Sequence, residues 1–191
     1  ASPAPTADNV QAAKQNAKAL NAKLLSLREG LQRGSRLTVS SDGTRVMSGL
    51  QKYISNFRKQ AAVHENEDGE AAPIDLPDDF AFGFDEYLGS PEISEDAAIV
   101  SNLDKQRQVL SYILKQLIEA NPAAIKAVER EVLEDTSTSR KGSTGFRISP
   151  VVSARVPDAI DTVAFRVTFT GHTPVLRKFL NNLAQFDLPI V

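Results

Sequence analysis

The chain has 191 residues, 41% of them hydrophobic, with 22 Lys and Arg against 24 Asp and Glu. That length allows a modest core, in one domain with an extension or in two small modules. The balanced charge offers no basic stripe for nucleic acid, no apolar run reaches the roughly 18–20 residues of a membrane span, and the lack of cysteine excludes disulfides and thiolate chemistry.

The chain opens on Ala1-Ser2-Pro3-Ala4-Pro5, small and polar rather than basic then apolar, so it does not read as a secretory leader. With no initiating Met, it reads as a piece of a longer protein. Asp8 is the predicted cap of a first helix, with Gln11 three residues on. Val10, Ala13, Ala17, Leu20, Leu24, Leu27 and Leu31 then follow at alternating spacings of three and four. That is a heptad seam, flanked by Lys14, Gln15, Asn16, Lys18, Asn21, Lys23 and Arg28, and it ends before Gly34. An amphipathic helix packed on its own domain has the same period. Ala13 and Ala17, however, bury little area on a flat core, which favours a coiled-coil arm.

Ser40 to Gly43 reads as a turn, followed by a second helix from Thr44 to about Ala62. Its apolar face is Val46, Leu50, Tyr53, Ile54, Phe57 and Ala61. The acidic run Glu65 to Glu70, with Pro73 and Pro77 beyond it, is a solvated connection without calcium-loop spacing. In Phe80-Ala81-Phe82-Gly83-Phe84, aromatic and small residues alternate, the pattern of a short strand with three rings on one side. Ser94 is the predicted cap of a third helix, whose first turn holds Glu95 and Asp96. Its apolar face is Ile99, Leu103, Leu110, Ile113, Leu114, Leu117 and Ile118, and Asn121-Pro122 stops it.

From Ala124 to Glu134 the Glu and Lys residues favour a helix, whereas Pro122 and the β-branched Ile125, Val128 and Val132 favour a strand, the predicted element. Asp135 to Gly145 reads as a hairpin tip, and Phe146 to Val156 as an extended stretch broken by Pro150. Val163, Phe165, Val167 and Phe169 alternate with small or polar residues as a strand. Thr173-Pro174 then opens a last helix, expected to bury Val175, Leu176, Phe179, Leu180, Leu183 and Phe186. Leu188 to Val191 begins a final strand. The predicted class is α+β: long, coiled-coil-like N-terminal helices, then a ferredoxin-like βαββαβ sandwich. The predicted boundaries are residues 1–34 for the lead and heptad helix, 35–78 for the second helix and acidic linker, and 79–191 for the sandwich.

No catalytic constellation emerges. The two histidines, His64 and His172, sit at a helix end and in a turn, as solvated or capping residues. No nucleophile elbow, phosphate loop or dinucleotide fingerprint is present. Asp85 and Glu86 read as surface carboxylates without a partner. Phe80, Phe82 and Phe84 would suit a base-stacking platform only with basic neighbours; Asp78, Asp79, Asp85 and Glu86 flank them instead, so they read as core. No catalytic, cofactor or metal residue is predicted.

Two stretches carry a family resemblance. Phe80 to Pro91, FAFGFDEYLGSP, and Val163 to Val191, VAFRVTFTGHTPVLRKFLNNLAQFDLPIV, resemble the Amuc-type, PilO-like pilus-associated proteins of verrucomicrobia. A heptad helix ahead of the domain is likewise similar to PilO and to the M component of type II secretion. The resemblance implies an upstream membrane helix, in the inner membrane for PilO and open between the inner membrane and the outer envelope for Amuc-type members, then a periplasmic coiled coil and a ferredoxin-like domain. It also implies homo- or heterodimers, with itself or a PilN-like sister subunit, that align the pilus machine across the cell envelope without enzymatic activity. The seam residues are then the expected interaction site. The rival readings are a ferredoxin-like module binding a small ligand or peptide, and an enzyme acting through Asp85, Glu86 or His172.

Overall fold

The computed structural model describes residues 6–32 (backbone only over 26–32), 37–66, 69–88, 93–133, 145–149, 155–156 and 161–185. Among them are four α-helices and a two-stranded antiparallel sheet, an α+β arrangement: α1 (Ala7–Gln32), α2 (Gly43–Ala62), α3 (Ala97–Glu119), β1 (Ala124–Arg130), β2 (Phe165–Thr170) and α4 (Thr173–Leu183). The chain divides into two compact units, one spanning Val39–Gln185 and the other containing α1.

The caps of α1 and α4 lie two residues and one residue before the predicted ones, that of α3 lies two residues after, and α2 starts one residue before the predicted Thr44. In α1 the hydroxyl of Thr6 accepts from Asn9 N at 3.3 Å, and Asp8 lies inside the first turn. Asp42 caps α2 by accepting from Arg45 N at 3.0 Å. For α3 the cap is Asp96, which accepts from Ala98 N at 2.8 Å, while Ser94 accepts from Asp96 N and shapes the approach. His172, not Thr173, occupies the cap position of α4, without a side-chain bond of its own.

The core of the larger unit lies between α2, α3, the 80–84 loop and one face of β1. The predicted α2 face is the buried one: Val46, Leu50, Tyr53, Ile54, Phe57 and Ala61. From α3, Leu103, Leu110, Leu114, Leu117 and Ile118 are buried, with Ile99 and Ile113 half-buried against them. Each such fully buried aliphatic side chain contributes about 1.5–3 kcal/mol. β1 and β2 pair from Ala124 opposite Thr170 to Arg130 opposite Phe165, with an irregularity between Ile125 and Ala127. Glu129 faces Arg166 in this register, and the two form a 3.1 Å ion pair. Isolated parallel bridges join Asp75 to Ala124 and Phe146 to Glu131.

Two predicted features are corrected. Phe80–Phe84 is not a strand: a turn at Asp78–Asp79 leads into it and a second, at Phe82–Gly83, lies within it. Asp79, Phe82 and Gly83 have φ of 52, 53 and 90°, the left-handed region, which no strand can hold. The rings still enter one core: Phe80 and Phe82 lie 4.7 Å apart, Tyr53 meets both Phe82 and Phe84, and Phe82 and Phe84 are both 0% exposed. Gly83 is needed where it stands, because a Cβ there would strain the positive φ and approach Val128 to 3.4 Å. In α4 only Phe179 is fully buried, its ring 5.6 Å from Phe169; Leu176 and Leu180 are 46 and 53% exposed. This eleven-residue helix packs on α3 and, through Phe179, on Phe169 of β2, and among the described residues nothing buries the Leu176 and Leu180 part of its stripe. Residues 135–144 of the predicted hairpin tip, Pro150, Phe186 and the final strand lie outside the described residues.

Candidate functional site

α1 carries the seam. Its 3.6-residue turn sets Val10, Ala13, Ala17, Leu20 and Leu24 along one stripe, and all five are exposed. Val10 is 45%, Leu20 61% and Leu24 54% accessible, with Leu25 beside them at 60%. Leu27 and Leu31 continue the period on the described backbone, but their side chains lie outside the described residues. Single exposed leucines are ordinary on protein surfaces; a stripe of them in heptad order is the surface a partner helix would cover.

Asp85 and Glu86 turn out to have partners. They open a short 3-10 turn, Asp85–Tyr87. Asp85 accepts from Ala81 N at 3.0 Å, closing the preceding turn. Glu86 forms an ion pair and hydrogen bond with Arg130, a β1 residue that is 1% exposed. The same guanidinium donates to the Gly83 carbonyl at 3.1 Å and to Gln106 Oε1 at 3.0 Å. It also lies 5.3 Å from the Phe84 ring centre. Gln106 in turn donates to the Glu131 carbonyl at 2.7 Å, and the Glu131 carboxylate takes Arg155 at 3.3 Å. Asp104, 4% exposed, receives Ser40 N at 2.9 Å and Arg107 Nη2 at 2.6 Å.

These buried polar residues escaped sequence reasoning. A charge in a strand reads as outward-facing, and Glu86 and Arg130 stand far apart along the chain. The only available signal was Arg130 at an inward position in the alternation of β1, in phase with Val128. What the network does chemically is positional. It joins the 80–87 loop, α3 and β1, and its charges are satisfied by one another rather than held open for a substrate.

The two histidines come to the same neighbourhood. His64 shares a 3.1 Å hydrogen bond with Asn121 Oδ1. His172 lines a shallow depression of about 310 Å³ together with Asn121, Pro122 and Gly171. No nucleophile or carboxylate lines it. Among the described residues no three His, Cys, Asp or Glu side chains group to hold a metal, and no helix is long and apolar enough to cross a membrane. Tyr53 donates to the Phe82 carbonyl at 3.2 Å, and burial pushes its phenol well above the ordinary value. Nearby Arg107 opposes that shift, and Asp85 adds to it.

A protein-family profile described as pilus-like matches residues 1–188. The chain belongs to this pilus-like family. Membership makes it a pilus-related structural protein with a cell-envelope or extracellular association. Two crystal structures, both of proteins from Akkermansia muciniphila, share the fold. One superposes with a TM-score of 0.56 at 15% identity, over 96% of this chain and 81% of the other. The second, described as a core domain, gives 0.53 at 14% identity, over 86% of this chain and 79% of the other. No curated protein matches the chain.

Proposed function

We propose that this pilus-like protein is a non-enzymatic alignment subunit of the PilO type, acting on the periplasmic side of a type IV pilus or type II secretion-like machine. α1 is the coupling arm. Its 26 residues reach about 39 Å at 1.5 Å per residue, enough to hold a globular unit at a set distance from a neighbouring subunit. Val10, Ala13, Ala17, Leu20, Leu24, Leu27 and Leu31 zip to a partner helix, supplied by a second copy or by a PilN-like sister. The larger unit then pairs through a sheet edge or helix face, as a compact variant of the ferredoxin-like scaffold.

The observation that carries this reading is the heptad stripe of α1, exposed at Val10, Leu20 and Leu24, in a member of a pilus-like family. The buried polar network supports it from the other side, since its charges are committed to one another. In the native host, Leu20→Asp with Leu24→Asp is expected to abolish surface pili or secretion while leaving the protein's abundance unchanged. Normal assembly by that variant would remove the arm from the mechanism.

A further inference from the structure

The seam of α1 is flanked by one sign of charge. With Val10, Ala17, Leu24 and Leu31 at the a positions and Ala13, Leu20 and Leu27 at d, the e positions are Lys14, Asn21 and Arg28. The g positions are Asn9, Asn16, Lys23 and Gly30. Between Asp8 and Glu29 the helix holds Lys14, Lys18, Lys23 and Arg28 and no acidic residue. Lys14, Lys18 and Lys23 are exposed and form no ion pair with another described residue.

Flanking e and g side chains are the ones that meet across a coiled coil, and they set partner choice and orientation. Two copies of α1 in parallel would place Lys23 against Arg28 of the other copy. In antiparallel order, e would meet e and g would meet g, again with basic residues and no acid to answer them. Self-pairing therefore brings like charges together in either direction, and like-charge juxtaposition acts against the wrong partner. The apolar stripe says that something covers α1; the flanks say what kind of helix can.

We infer that the partner of α1 is a different chain, an amphipathic helix whose own seam is flanked by glutamate or aspartate, and that the basic flanks keep α1 from pairing with a second copy of itself. This rests on the proposed role of the seam and narrows it to a heterotypic pair. Alanines at 13 and 17 suit such a pairing, since a thin apolar seam leaves a larger share of the discrimination to the flanking charges.

The test uses the full chain against its own charge-reversed form, Lys14→Glu with Lys23→Glu and Arg28→Glu, with circular dichroism confirming that both are helical. Light scattering at low salt is expected to show each protein monomeric alone and a one-to-one complex on mixing. Affinity in the mixture should exceed self-association of the native chain by about tenfold or more, the scale that several apposed charges supply. Added salt should weaken the mixed complex and strengthen any self-association, because screening acts with opposite sign on the two. Adding Leu20→Asp and Leu24→Asp to both proteins should dissolve the mixed pair.

Native self-association as tight as the mixture, sensitive to the leucine changes, would overturn the charge selection and leave the seam as a pairing element. A mixture that stays monomeric would overturn both the seam reading and this inference. Vesicles of anionic phospholipid provide the remaining arm. Binding of the native chain to them, lost in the charge-reversed form and accompanied by no protein pairing, would replace a protein partner with a lipid surface.

Discussion

In the loop from Phe80 to Tyr87, groups that folding takes out of water are met from elsewhere in the unit. Arg58, Tyr53 and Arg130 donate to the carbonyls of Phe80, Phe82 and Gly83, and Arg130 answers the carboxylate of Glu86. Along α1 the situation is reversed: apolar side chains in heptad order stand in solvent, with basic neighbours on both sides. The first region is answered mostly within the unit, although Arg58 Nη2 is buried without a hydrogen bond, and substitutions there should be read out as stability. On the proposed reading the second is covered by another molecule, and substitutions there are expected to be read out as association.

The sharpest way to break this contrast is at Arg130. Arg130→Met leaves the Gly83 carbonyl, the Gln106 amide oxygen and the Glu86 carboxylate without their donor. The cost is about 3 kcal/mol, the scale for removing one partner of a buried ion pair. Thermal or urea denaturation should show that loss; a variant as stable as the native protein would mean that the network does not hold the loop. Next in size is Tyr53→Phe, which deletes one buried hydrogen bond and should cost about 1 kcal/mol at neutral pH.

Tyr53 also predicts a pH dependence. Its phenol is held protonated in the folded state beyond the ordinary value near 10, so above that pH the unfolded chain gives up a proton that the folded chain keeps. Stability from this group is full below pH about 10 and declines as pH rises past it. The Phe variant should lose that part of the alkaline decline, and denaturation at a series of alkaline pH values checks it. Smallest of all is the expected effect of Leu20→Asp with Leu24→Asp on the melting of the larger unit, within about 0.5 kcal/mol of the native value. A larger drop would mean that these leucines stabilise the fold itself and would erase the contrast.

What was legible in the sequence follows from periodicity. α2 and α3 show a 3.6-residue stripe that matches their buried faces, and β2 alternates as written in its residues. The first helix was legible in the same way, and Val10, Ala13, Ala17, Leu20 and Leu24 stand exposed along it. Periodicity is blind to φ, however, and the 80–84 segment has a two-residue rhythm while three residues from Asp79 to Gly83 take left-handed conformations. It is equally blind to what lies opposite a helix, so Leu176 and Leu180 were expected to be buried although no described residue covers them. The polar network was illegible for a third reason. Arg130 gains its meaning from Gln106, Gly83 and Glu86, and nothing local to any of them announces the others.

The turns at 80–84 have a consequence for how this chain can be cut and recombined. Their shape is written in α2 and β1, where Tyr53, Arg58 and Arg130 reside, more than in their own five residues. Transplanted alone into another protein, the segment would lose three of the donors that fix its backbone and should collapse to some other conformation. Moved together with those three residues and Gln106, it should keep its form. Within the native chain, the same dependence means that the loop cannot set before the helices and strand around it have assembled, so its amides should become protected from exchange together with those of α2 and β1 rather than ahead of them.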